Sequence, residues 1–89
     1  MGNVTLKAVR TRTLDYQLNS CGIAGINCYV QHEENDSCFC QVLSDISAIV
    51  TPYVNASNQW CALIYNCRND AILKDTLQIK FTIIKHQTN

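Results

Sequence analysis

Six cysteines, at positions 21, 28, 38, 40, 61 and 67, carry most of the reactive chemistry in this chain. A thiol can serve as a nucleophile, a metal ligand or half of a disulfide, and spacing discriminates among the three. Structural zinc sites come as pairs of cysteines about two to four residues apart, or as Cys/His sets. Here the gaps are 6, 9, 1, 20 and 5 residues, and the two histidines, His32 and His86, stand apart from any paired arrangement. A cysteine nucleophile needs a base beside it, and each histidine falls next to an expected strand end instead. The spacing therefore predicts three disulfides among Cys21, Cys28, Cys38, Cys40, Cys61 and Cys67. The pairing is left open, because six cysteines admit many connectivities. Such cross-links typically contribute about 2–4 kcal/mol each, comparable with the net stability of a small domain, so reduction is expected to unfold the chain.

Disulfides imply an oxidising compartment. Three Asn-x-Ser/Thr acceptor sequences point the same way: Asn3-Val4-Thr5, Asn35-Asp36-Ser37 and Asn55-Ala56-Ser57. The plainer reading of each asparagine is a turn residue. No signal peptide and no apolar run of transmembrane length is evident. Met1-Gly2 ahead of Asn3 reads as an added start on a mature domain, and Leu6 occupies the position where N-myristoylation needs Ser or Thr. The expected location is secreted or extracellular, and the ectodomain of a membrane protein fits equally.

Other catalytic constellations are missing. There is no Gly-x-Ser-x-Gly elbow and no glycine-rich phosphate loop. Glu33, Glu34 and Asp36 crowd one short turn. They read as a solvated tip rather than as two carboxylates facing across a cleft, and they lack the spacing and distal glutamate of an EF-hand. No catalytic, cofactor-binding or metal-binding residue is assigned, and the chain reads as non-enzymatic.

Binding through a surface is what this leaves. Aromatic side chains anchor interfaces because they bury much area at low entropic cost, which makes Trp60, Tyr29, Phe39 and Tyr53 the candidates. Core positions are the plainer reading for all four. Trp60 is the best candidate for exposure, since it follows a polar segment. Charge narrows the partner. The net charge is zero, yet no lysine or arginine occurs from Thr13 to Cys67. All seven basic residues lie toward the two ends of the sequence. A nucleic-acid binder would show a basic excess, so nucleic acid is excluded and a solvated basic face on the terminal strands is expected.

The elements that must position these residues are mostly strands. Val4 to Leu18 alternates and reads as one or two strands with a break near Arg10–Thr13. Asn19 to Gly25 reads as a loop. Ile26–His32 and Ser37–Leu43 read as a hairpin across Glu33–Asp36, with Cys38 and Cys40 on one face. Ser44–Ser57 predicts a short helix: Ser44 caps it, and Ile46, Ile49, Val50, Tyr53 and Val54 fall at helical spacing. Pro52 opposes that helix. Trp60–Cys67, apolar on both faces, predicts a central strand. Thr76–His86 predicts a half-buried strand with Leu77, Ile79, Phe81 and Ile83 inward, and Lys80 and Lys85 protecting an edge.

The fold expected is one α+β domain over residues 1–89: a disulfide-stapled antiparallel sheet of about five strands with one helix near 44–57. An all-β sandwich is the alternative if Ser44–Ser57 is extended. The order of a Cys-x-Cys strand, a helix and a further Cys-bearing strand is similar in layout to small fungal secreted toxins and effectors, over about half the chain. The function expected is that of a secreted or ectodomain recognition module for an extracellular or cell-surface protein. A secreted effector or toxin acting on a target cell is the alternative. A protease inhibitor using a rigid Cys21–Cys28 loop comes third.

Overall fold

The computed structural model describes residues 3–87 and is all-β. Its six strands are β1 (Asn3–Thr13), β2 (Ile23–Gln31), β3 (Asp36–Val42), β4 (Ala48–Val54), β5 (Gln59–Asn66) and β6 (Gln78–Gln87). They form two antiparallel three-stranded sheets, in the orders β1-β6-β3 and β2-β5-β4. The core lies between the sheets, where Leu14, Ile64, Leu77, Ile79, Phe81 and Ile83 are closed to solvent.

The sandwich alternative holds and the α+β expectation is corrected. No helix forms over 44–57. Residues 48–54 are the edge strand β4, which pairs Ala48 with Asn66 through Val54 with Trp60. Ile46, Ile49, Val50, Tyr53 and Val54 fit a helical stripe, but Ala48, Val50 and Pro52 fit an alternating one equally well. The β-branched run Ile49-Val50-Thr51 and Pro52 tip the balance. An edge strand tolerates proline because one side of its ladder is unused. The helix-containing layout that resembled small fungal toxins goes with it.

β2 and β3 exist as strands but do not form a hairpin. β2 pairs with β5 and β3 with β6, so the segment between them arches from one sheet to the other. β1 is one continuous strand, with the expected break near Arg10 replaced by a bulge between Leu6 and Ala8. β6 lies in the centre of its sheet, not at an edge. Its inward set Ile79, Phe81 and Ile83 is buried as expected, together with Leu77 just before it. β5 is central and covered on the inside by Trp60, Ala62 and Ile64. The segment read as an inhibitor loop is mostly strand, since β2 begins at Ile23. Met1 and Gly2, read above as an added start, lie outside the described residues.

No disulfide staples the structure: all six cysteines carry free thiols. The fold closes instead by apolar packing between the sheets, with Cys28 and Cys38 inside that core as small apolar residues. The expectation that cross-links hold the domain together is corrected accordingly.

Candidate binding surface

Alternation on three paired strands sends every second side chain of the second sheet to solvent. Register decides what meets there. Ile23 stands opposite Tyr65, and Tyr65 opposite Ile49, in one row across β2, β5 and β4. The next row is Gly25, Leu63 and Thr51, and the next Asn27, Cys61 and Tyr53. None of these residues is ionisable at neutral pH as Lys, Arg, Asp or Glu. Ile23 is 62 % exposed, Ile49 59 % and Tyr65 38 %. This is a neutral, largely apolar sheet face open to water. Tyr53 lies across it toward Gly25, where a Cβ would meet the tyrosine hydroxyl at 2.7 Å. Cys61, in the same row, is buried and shares a side-chain hydrogen bond with Tyr53.

The four aromatics singled out from the sequence do not come together. Tyr53 belongs to the face just described. Phe39 is exposed on the outer face of the first sheet, in a row with Thr82 and Val9. Tyr29 is exposed at the seam between β1 and β2. Trp60, expected to be the most exposed, is only 8 % exposed and belongs to the core, edge-on to His32 with ring centroids 5.1 Å apart. Ile23, Ile49 and Tyr65 were missed, because only strand pairing places three such distant residues in one row.

The seam holds a cleft of about 210 Å³. Arg12 and Thr13 from β1, Asp15 and Tyr16 from the following turn, and Asn27 and Tyr29 from β2 line it. Tyr29 sits in a bulge with a left-handed backbone, φ 58°. Its N–H donates to Asn27 Oδ1 at 2.7 Å, and Asn27 Nδ2 donates to Gln59 Oε1 at 2.8 Å. The Arg12 guanidinium lies over the Tyr29 ring, 5.2 Å from its centroid.

The thiols divide by environment. Cys21 and Cys67 are exposed, and Cys28, Cys38 and Cys61 are buried. Burial pushes the Cys28 and Cys61 thiols up from their ordinary value. A hydrogen bond with Cys40, together with burial, pushes Cys38 up, and the same contact draws Cys40 down. Cys28, Cys38 and Cys61 are therefore protonated at neutral pH, which makes them poor nucleophiles.

At one end of the sandwich, two lysines that the sequence suggested were solvated are tied down. Lys7, set inward by the β1 bulge, bonds Glu33 at 2.8 Å, the buried Asp36 carboxylate, and the Gln31 carbonyl. Lys85 reaches Asp36 Oδ1 at 3.4 Å, and the Glu33 N–H donates to Asp36 Oδ2 at 2.9 Å. Burial alone would raise the Asp36 carboxyl, but these donors hold it below the usual range. The acidic turn is thus a clamp between β1, β3 and β6 rather than a free tip. Of the sequon asparagines, Asn3 and Asn35 are exposed. Asn55 is half-buried, with its Oδ1 accepting from the Ser57 and Gln59 N–H groups.

One pairing has the look of catalysis: Ser37 Oγ and His86 Nε2 are 3.0 Å apart on neighbouring strands. They lie on an open sheet face, and among the described residues no carboxylate orients the imidazole. No described helix is long and apolar enough to cross a membrane. Comparison with protein-family models, with curated proteins and with solved structures gave no match.

Proposed function

We propose that this chain is a non-enzymatic binding domain that acts from outside on a protein of a target cell, in the manner of a secreted effector. The observation that carries the reading is the uncharged row Ile23–Tyr65–Ile49 on an open sheet face. Water-exposed apolar rows of this kind are the usual cores of protein interfaces. A neutral face also selects a partner by shape and apolar contact rather than by charge.

The second reading, a recognition module of an ectodomain, is favoured by the exposed sequon residues Asn3 and Asn35. Labelled protein applied to intact cultured cells separates the readings. Saturable binding that protease treatment of the cells removes, and that Ile49→Lys or Tyr65→Lys abolishes with unfolding midpoints unchanged, is the expected result. Binding indifferent to both substitutions refutes the assignment of this face. Loss of cell integrity or growth on binding supports the effector setting, and bound but unaffected cells support the module.

A further inference from the structure

In the Arg12–Tyr29 cleft the guanidinium is paired with no described carboxylate, although Asp15 lines the same cleft. Arg12 lies on the inward side of β1, opposite the core residue Ile79. Its Nε is buried with no hydrogen-bond partner. Among the described residues it forms no ion pair, although Lys7, Lys85 and Arg68 all do. Leaving a buried donor unsatisfied forfeits its hydration with nothing in return, so native structures rarely keep one without a use. A second cost is present at the same place. A bulky residue with positive φ is an outlier, and Tyr29 adopts φ 58°. That backbone carries its ring beneath the guanidinium, and Asn27 and Gln59 brace it there. Strain of this type clusters where a ligand is held.

The cleft's size and charge choose the ligand. About 210 Å³ is small for a free metabolite or cofactor, whose sites typically run to roughly 300–1,000 Å³. It matches a single side chain or chain end. A guanidinium fork pairs bidentately with carboxylate or phosphate. Asp15, lining the same cleft, repels a dianion more than a monoanion. We propose that the cleft takes one carboxylate of a partner polypeptide, paired with Arg12 and flanked by the rings of Tyr29 and Tyr16. The inference rests on the reading of this chain as a protein-binding domain, and it adds the chemistry of one anchor residue on the partner. The carboxylate's two sources are an acidic side chain and a chain terminus.

The test is an NMR titration of the isotope-labelled chain with small probes: capped glutamate, capped glutamine, N-acetylglycine and inorganic phosphate. The expected result is a saturable shift of the Arg12 Nε–H and Tyr29 amide signals by at least one of the two carboxylates. Its affinity should be millimolar, as a single charge pair allows, and about 10-fold or more above that of capped glutamine. The tighter carboxylate names the source. Arg12→Gln should remove the response with the rest of the spectrum unchanged, and Arg12→Lys should weaken it, because an ammonium lacks the fork. No saturable shift, equal response to capped glutamine, tighter binding of phosphate, or a response that survives in Arg12→Gln would overturn the proposal. These readouts use the wild-type chain and do not involve the Ile49–Tyr65 face. A failed titration beside face-dependent cell binding sinks the anchor alone, and a positive titration without cell binding sinks the effector reading alone.

Discussion

The Asn66 carboxamide works from a position almost closed to solvent. Its Nδ2 donates to the carbonyls of Leu18, Asn19 and Asp70 at 3.3, 2.9 and 3.0 Å, and its Oδ1 accepts from the Arg68 N–H at 2.9 Å. One side chain thus satisfies backbone groups from two irregular segments that have no ladder of their own. Asn66→Ala should cost about 3 kcal/mol, since it strands several buried polar groups at once. A urea midpoint close to wild type would refute that role. Asp36 makes a pH-dependent counterpart. Its folded-state carboxyl titrates below the ordinary value of about 3.9. The unfolded chain therefore binds the proton more readily, and stability rises with pH through the acid range. The contribution is present above the unfolded value and is lost as pH falls through the lower folded one. Lys7 is shifted up, because its hydrogen bonds to Asp36 and Glu33 outweigh burial. Its contribution is present below about 10.4 and is lost as pH rises through the folded value. Asp36→Asn should cost about 1–3 kcal/mol at neutral pH and flatten the acid limb of the stability profile. An acid limb as steep as in wild type would place the titrating group elsewhere.

At the scale of elements, two glycines separate packing against backbone from packing against a mobile side chain. A Cβ on Gly22 would lie 2.8 Å from the Asn19 carbonyl oxygen, and one on Gly25 would meet only the end of Tyr53. Gly22→Ala should therefore destabilise by about 1–3 kcal/mol, with Gly25→Ala costing clearly less because the ring can swing away. Equal unfolding midpoints for the two variants would contradict this. The same contrast between local and distant determinants explains how much of the fold was legible in the sequence. β5 could be read because a short run apolar on both faces marks a central strand, and β6 because its alternation over residues 77–83 is strict. β4 could not, because Ile46, Ile49, Val50, Tyr53 and Val54 satisfy a helical period as well as a strand, and only pairing with β5 decides. The arch between β2 and β3 was unreadable for a related reason: a four-residue polar connection permits either a hairpin or a crossing. The apolar face was hidden further still, since Ile23, Ile49 and Tyr65 become neighbours only through two registers. Tyr29 and Arg12 meet across two sheets, and nothing local in either segment announces it.

The whole molecule should unfold as one unit, because both sheets share a single core. Trp60, the chain's one tryptophan, is buried in it and reports on its integrity. In reduced protein, Cys21 and Cys67 should react quickly with a maleimide, whereas Cys28, Cys38 and Cys61 should react only as the Trp60 emission shifts red in urea. Mass spectrometry of adducts against fluorescence checks the coincidence. Early labelling of Cys28 or Cys38 would show that the two sheets part before the core is lost. The same experiment bears on the missing staple. A core that protects its thiols while fully reduced owes its stability to packing.

The strand order β1-β6-β3 has a consequence for how the protein comes into being. β1 and β3 are joined only through β6, so neither has a partner in its sheet before β6 is present. During synthesis β1 must wait, its ladder unpaired, until residues 78–87 have left the ribosome. The second sheet suffers less, because β4 and β5 are adjacent in sequence and joined by the Asn55–Asn58 turn. Loop-closure entropy makes such distant pairing slow, placing folding in the millisecond-to-second regime of all-β domains. For that interval the exposed Val4, Leu6 and Val9 of β1 are an unprotected strand, open to any chaperone or neighbouring nascent chain that reaches it first.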